Sequence, residues 1–156
     1  MSPPTQEEQL KSLDEQSKEL SSESDQTHAT LRQMMLRNDE LTGRISDLWK
    51  AVNKLSDECE RLKNENAADL ERFTLRSMRE FVHGYTNAES RIKAIISGTD
   101  KLLAMHKEIQ KLEAEKSIVY GSIGDCLKRL KGIASEQTKL VERWKEITGS
   151  APQSAK

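Results

Sequence analysis

From Leu102 to Ile147, apolar residues return at alternating steps of three and four. The series reads Leu102, Met105, Ile109, Leu112, Lys116, Val119, Ile123, Cys126, Leu130, Ile133, Gln137, Leu140, Trp144 and Ile147, with only Lys116 and Gln137 polar. Such spacing collects every member on one stripe of an α-helix, and that stripe must be covered by other helices. The e positions beside this seam, Tyr120, Leu127, Ala134 and Val141, are apolar as well. An apolar face three positions wide in every seven is the pattern of a core-facing bundle helix.

A second frame of the same period occupies the first half. With Leu10 at position a, it reads Leu10, Leu13, Ser17, Leu20, Ser24, Thr27, Leu31, Met34, Asn38, Leu41, Ile45, Leu48, Val52, Leu55, Cys59, Leu62 and Asn66. Ser and Thr interrupt it before Leu31, so residues 1–30 are expected to be a polar, weakly helical segment that frays or is ordered only by a partner. Between Leu31 and Leu62 only Asn38 breaks the apolar run. An Asn at an a position fixes register and helix number at some cost in stability, which makes Asn38 the candidate register residue. Met35 and Trp49 at e positions and Ala51 at a g position widen the stripe beyond a two-stranded seam. This favours three or more helices in cross-section, supplied by a hairpin, a larger oligomer or foreign subunits.

Beyond Asn66 the narrow stripe is lost, and Leu70, Phe73, Leu75, Met78, Phe81, Val82, Tyr85, Ile92, Ile95 and Ile96 form a broad apolar zone over 70–96. Ser97-Gly98-Thr99-Asp100 combines a helix-ending Gly with two N-cap residue types and is the expected turn, placed at 98–101. A turn there would run 102–147 back along roughly 52–97. Gly84-Tyr85-Thr86-Asn87-Ala88-Glu89 offers a second candidate break, with Thr86 and Glu89 spaced as a capping box. Gly121 and Gly124 lie in a frame that passes through without slipping, so they are read as a weak point inside a helix. Thr148-Gly149-Ser150-Ala151-Pro152 ends the last helix, leaving 149–156 as a disordered tail.

Composition agrees with long helices. Charged residues make up 33% and aromatic residues 4%, while the three prolines, Pro3, Pro4 and Pro152, all lie near the ends. The interior therefore holds no obligatory helix breaker. A net charge of -1 gives no overall field toward nucleic acid or an anionic membrane, and no apolar run approaches a membrane span. The N-terminus lacks the basic and apolar regions of a signal peptide. Cys59 and Cys126 sit on the seams with no metal-ligand spacing, which suits reduced thiols in a cytoplasmic location, with a nuclear one or a peripheral place on a membrane as alternatives.

No catalytic constellation emerges. His28, His83 and His106 are scattered, and neither a phosphate-binding Gly loop nor a nucleophile elbow is present. No enzyme activity, cofactor, metal or small-molecule substrate is expected. Nucleic-acid binding is not expected either, because the approach to the first seam is acidic rather than basic. Arg72, Arg76, Arg79 and His83, followed by Arg91 and Lys93, read as a solvated stripe or a contact for an acidic partner.

Long helices carrying Phe81-Val82-His83-Gly84-Tyr85, Arg91 and a late Trp144 are similar to the membrane-bending BAR dimers appended to sorting nexins. Subunits of kinetochore, vesicle-tethering and lysosome-positioning complexes look similar too. No specific motif carries either likeness, and no site residue is transferred.

The expected fold is all-α: an elongated coiled coil, antiparallel helical hairpin or bundle with long helices. The expected role is a non-enzymatic scaffolding subunit that joins other coiled-coil proteins, as a homo- or hetero-oligomer, in a larger complex. Leu41, Ile45, Leu48, Trp49, Val52 and Leu55 would carry one partner contact, and Leu130, Ile133, Leu140 and Trp144 the other. The alternatives are a BAR-like helical dimer on a membrane surface and a regulatory module that captures one helix.

Overall fold

In a computed structural model, which describes residues 2–71 and 78–149 and the side chains outside 69–84, the chain is two long α-helices that pack against each other. Helix α1 spans Gln6–Glu71 and helix α2 spans Met78–Thr148. Among the described residues there is no strand. The all-α hairpin class expected from the two seams is the observed one.

The helix ends follow from local chemistry. Thr5 and Glu8 form a capping box that the sequence reading overlooked: the Thr5 amide donates to Glu8 Oε2 at 3.1 Å, and the Glu8 amide donates to Thr5 Oγ1 at 3.2 Å. These reciprocal bonds satisfy two of the donors that a helix start leaves open. With them in place, α1 begins at Gln6 and runs through Ser12, Ser17, Ser21, Ser22 and Ser24, so the expected fraying of 1–30 is not observed. At the other end, Gly149 adopts a left-handed φ of 72° and its amide donates to the Lys145 carbonyl at 2.6 Å, closing α2. The rest of the expected tail, 150–156, lies outside the described residues.

The contacts divide the chain into two units, each with one stretch from either helix. Unit 1 comprises Met1–Asp39 with Ser117–Lys156, and unit 2 comprises Glu40–Lys116. In unit 1 the helices are antiparallel: Glu23 pairs with Arg129, and Gln6 Nε2 donates to the Ile147 carbonyl at 3.0 Å. Leu13, Val119 and Ile133 are buried there. Unit 2 is antiparallel as well, with Arg44 opposite Glu108, Trp49 against His106, and Glu65 against Arg91. Its buried residues are Leu41, Val52, Cys59, Ile109 and Leu112.

The turn expected at 98–101 is not there. Residues 97–101 are helical and lie inside α2, which begins at Met78. The capping-box candidate at Gly84–Glu89 also lies inside α2. The physical reason is that the seam never lapses across the expected turn. Arg91, Ile95 and Gly98 continue the frame of Leu102 backwards in alternating steps of four and three, and all three are buried or half-buried. Gly98 serves close packing rather than helix termination: a Cβ there would stand 2.6 Å from Cys59 Sγ and 3.7 Å from Leu55 Cδ1. Consequently 102–147 does not run back along 52–97. Within unit 1, Ile147 and Arg129 meet Gln6 and Glu23 of the first helix, and within unit 2, Glu108 and His106 meet Arg44 and Trp49.

Candidate partner-binding surface

The seam residues expected to bind partners are engaged by the chain itself. Leu41 and Val52 are buried, and Ile45, Leu48 and Leu55 are half-buried. Ile133 is buried, with Leu130, Leu140 and Trp144 half-buried. Each helix thus covers the other's a and d positions, as in a two-stranded coiled coil. Trp49 differs, being 40% exposed with its ring set edge-on to His106, centroids 5.5 Å apart. Asn38 is half-buried at its seam position well inside α1, and its Oδ1 is shut off from solvent.

The broad apolar zone expected over 70–96 falls partly outside the described residues, as do the side chains of Arg72, Arg76, Arg79 and His83. Its described members divide: Ile95 is half-buried on the seam, while Tyr85, Ile92 and Ile96 are exposed. Arg91 turns inward. It is half-buried, donates from Nη1 to Asn66 Oδ1 at 3.4 Å and lies 3.6 Å from Glu65, forming a polar layer where the sequence suggested a surface charge.

When two antiparallel helices share a seam, the g positions of both line one flank and the e positions of both line the other. Here the two flanks differ in chemistry. On the g flank of unit 1, the Glu23 carboxylate accepts from Arg129 Nε. That guanidinium holds Glu23 below the ordinary carboxylate value, and Glu23 in turn raises Arg129. A groove of about 630 Å³ on the same flank is lined by side chains of both signs, including Glu19, Arg129, Lys139 and Arg143. On the g flank of unit 2, Arg44 stands 3.6 Å from Glu108. Charged pairs of this kind sit comfortably in water.

The e flank is apolar and open. In unit 2 it presents Trp49, Tyr85 and Ile92 at e positions and Ile96 and Leu103 at the adjoining b positions, all exposed. The other e and b residues of α1 between 42 and 56 are Thr42, Ser46, Asn53 and Ser56. Their counterparts on α2 between 92 and 110 are Thr99, His106 and Gln110. Within those spans the e and b positions hold no Lys, Arg, Asp or Glu, in a chain of which a third is charged. In unit 1 the e flank carries Met35, Tyr120 and Leu127, again exposed, while Leu36 and Ile118 are exposed elsewhere on their helices. Ile92 and Ile96 belong to the broad apolar zone read from the sequence, whereas Leu103 was not singled out there. The signal was available, because carrying the Leu102 frame back through Gly98 assigns them to e and b positions.

Apolar enrichment combined with loss of charge marks the centre of a protein interface. Among the described residues, no group of His, Cys, Asp and Glu gathers to hold a metal. No helix among them is long and apolar enough to cross a membrane. No family model, curated protein or solved structure matches the chain.

Proposed function

We propose that the protein is a non-enzymatic scaffolding subunit that assembles with other helical chains, and that it does so through its e flank. The observation that carries this reading is the asymmetry of the paired helices: a charged g flank and an apolar e flank that keeps Trp49, Ile92, Ile96 and Leu103 exposed. Two helices in section leave uncovered the wide stripe that a third or fourth helix would bury. Covering it removes apolar surface from water at roughly 25 cal/mol per Å². A cytoplasmic or nuclear setting fits Cys59 and Cys126 as free thiols.

The test is site-specific photo-crosslinking in cells. A photo-reactive amino acid in place of Leu103 on the e flank is compared with the same group in place of Glu108 on the g flank. The expected result is a crosslinked adduct of discrete mass from position 103 and background labelling from position 108. Equal labelling from both, or none from 103, would overturn the proposal.

A further inference from the structure

We propose that the e flank of unit 2 is the interface of a two-fold homodimer in which two copies of the chain lie antiparallel, Lys63 of each meeting Glu113 of the other. This rests on the reading of that flank as a docking surface and adds the identity of its occupant.

The charge-free span of the flank selects a partner that is itself uncharged and apolar over the same distance, since burying an unpaired charge against it is costly. A second copy of the same flank meets that requirement. Isologous packing places the Trp49, Ile96 and Leu103 region of one copy on that of the other. Net charge is -1 for the whole chain, so bringing two copies together meets little long-range repulsion.

The ends of the span then choose the direction of packing. Lys63 and Glu113 occupy e positions, beside the seam, at opposite ends of the flank, and both are exposed. The facing of Arg44 with Glu108 and of Glu65 with Arg91 sets Glu113 near the α1 residues around 42 and Lys63 near Ile92. About 30 Å of helix separates the two levels. If the copies ran parallel, Lys63 would meet Lys63 and Glu113 would meet Glu113. A two-fold axis perpendicular to the helices instead brings Lys63 onto the second copy's Glu113 at both ends. Glu60, on an outer b position at the Lys63 end, then faces the uncharged Ser46. Like-charge juxtaposition across an interface is strongly unfavourable, so the antiparallel arrangement wins.

The experiment is a charge swap on the purified chain, read by light scattering and sedimentation. The unaltered chain is expected at twice 17.7 kDa. Lys63→Glu alone and Glu113→Lys alone should each raise the dimer dissociation constant roughly tenfold, and the two together should return it to within about threefold of the original. Ile96→Arg with Leu103→Arg should give a monomer with its helical signal intact, because both side chains are more than half exposed within the chain, at 57% and 56%. Leu36→Arg, away from the e flank, should leave the dimer unchanged.

A chain that is monomeric at about 100 µM, far above the dissociation constants of specific dimers, would overturn the proposal. So would a double swap no better than either single change, or flotation of that monomer with phosphatidylcholine–phosphatidylserine vesicles. A monomer that still crosslinks to a different protein from position 103 removes the second copy as occupant and leaves the docking surface in place. Failure of both experiments removes the surface itself.

Discussion

Ile133 and Leu36 show how little the identity of an apolar residue says until its heptad position is known. Ile133, at a seam position, is 1% exposed, whereas Leu36, on the far side of α1, is 70% exposed. Ile133→Ala is therefore expected to cost about 2–5 kcal/mol of unfolding free energy, from lost burial and the cavity left behind. Leu36→Ala should stay within about 0.5 kcal/mol. Urea unfolding followed by circular dichroism measures both, and equal costs would refute the seam assignment. At this scale the sequence was highly legible: Leu41, Val52, Ile109, Leu112 and Ile133 were all read as seam residues and all are buried. The seam position of Arg91 follows from the Leu102 frame, but its partners do not, because Glu65 and Asn66 arrive opposite it from another helix. Gly98 misled for a related reason. A glycine that ends a helix and a glycine that lets two helices approach look alike until the facing Cys59 is placed.

At the scale of elements, the course of α2 through 97–100 decides between two topologies. Thr99 is exposed, and its hydroxyl donates to the Ile95 carbonyl within the helix at 2.8 Å. Proline at 99 would remove a backbone hydrogen bond and push its ring into the carbonyl of residue 95, at a cost of ~3 kcal/mol or more. Thr99→Pro should accordingly lower the melting temperature sharply and reduce helical ellipticity. In a turn, the same change would be close to neutral. The phase test that cleared Gly121 also clears Gly98, since Ile95 and Arg91 keep step with Leu102. The turn was favoured because Gly, Thr and Asp supply local stop and start signals, and a continuous seam outweighs them through tertiary burial. The start of α1 carries the opposite lesson. A serine-rich stretch is a poor helix former by itself, yet it is helical here once capped by Thr5 and Glu8 and covered by the α2 seam.

For the molecule as a whole, the width of the apolar stripe is the property that the fold alone does not satisfy. The sequence already implied three or more helices in section through Met35, Trp49 and Ala51, and the chain supplies two. What pattern alone could not tell was which positions the chain would cover for itself. That follows from antiparallel pairing, which joins e to e and g to g. If the uncovered flank is closed by a second copy, folding and association are linked, and stability must depend on concentration. Tenfold dilution removes about 1.4 kcal/mol per dimer, hence about 0.7 kcal/mol per chain. For a chain of this size, that lowers the melting temperature by about 2 °C. The Ile96→Arg, Leu103→Arg double variant should melt at one temperature at every concentration, since its transition involves single chains. A concentration-independent melt of the unaltered chain would mean that its two helices account for its stability without a second copy, leaving the flank for a different occupant.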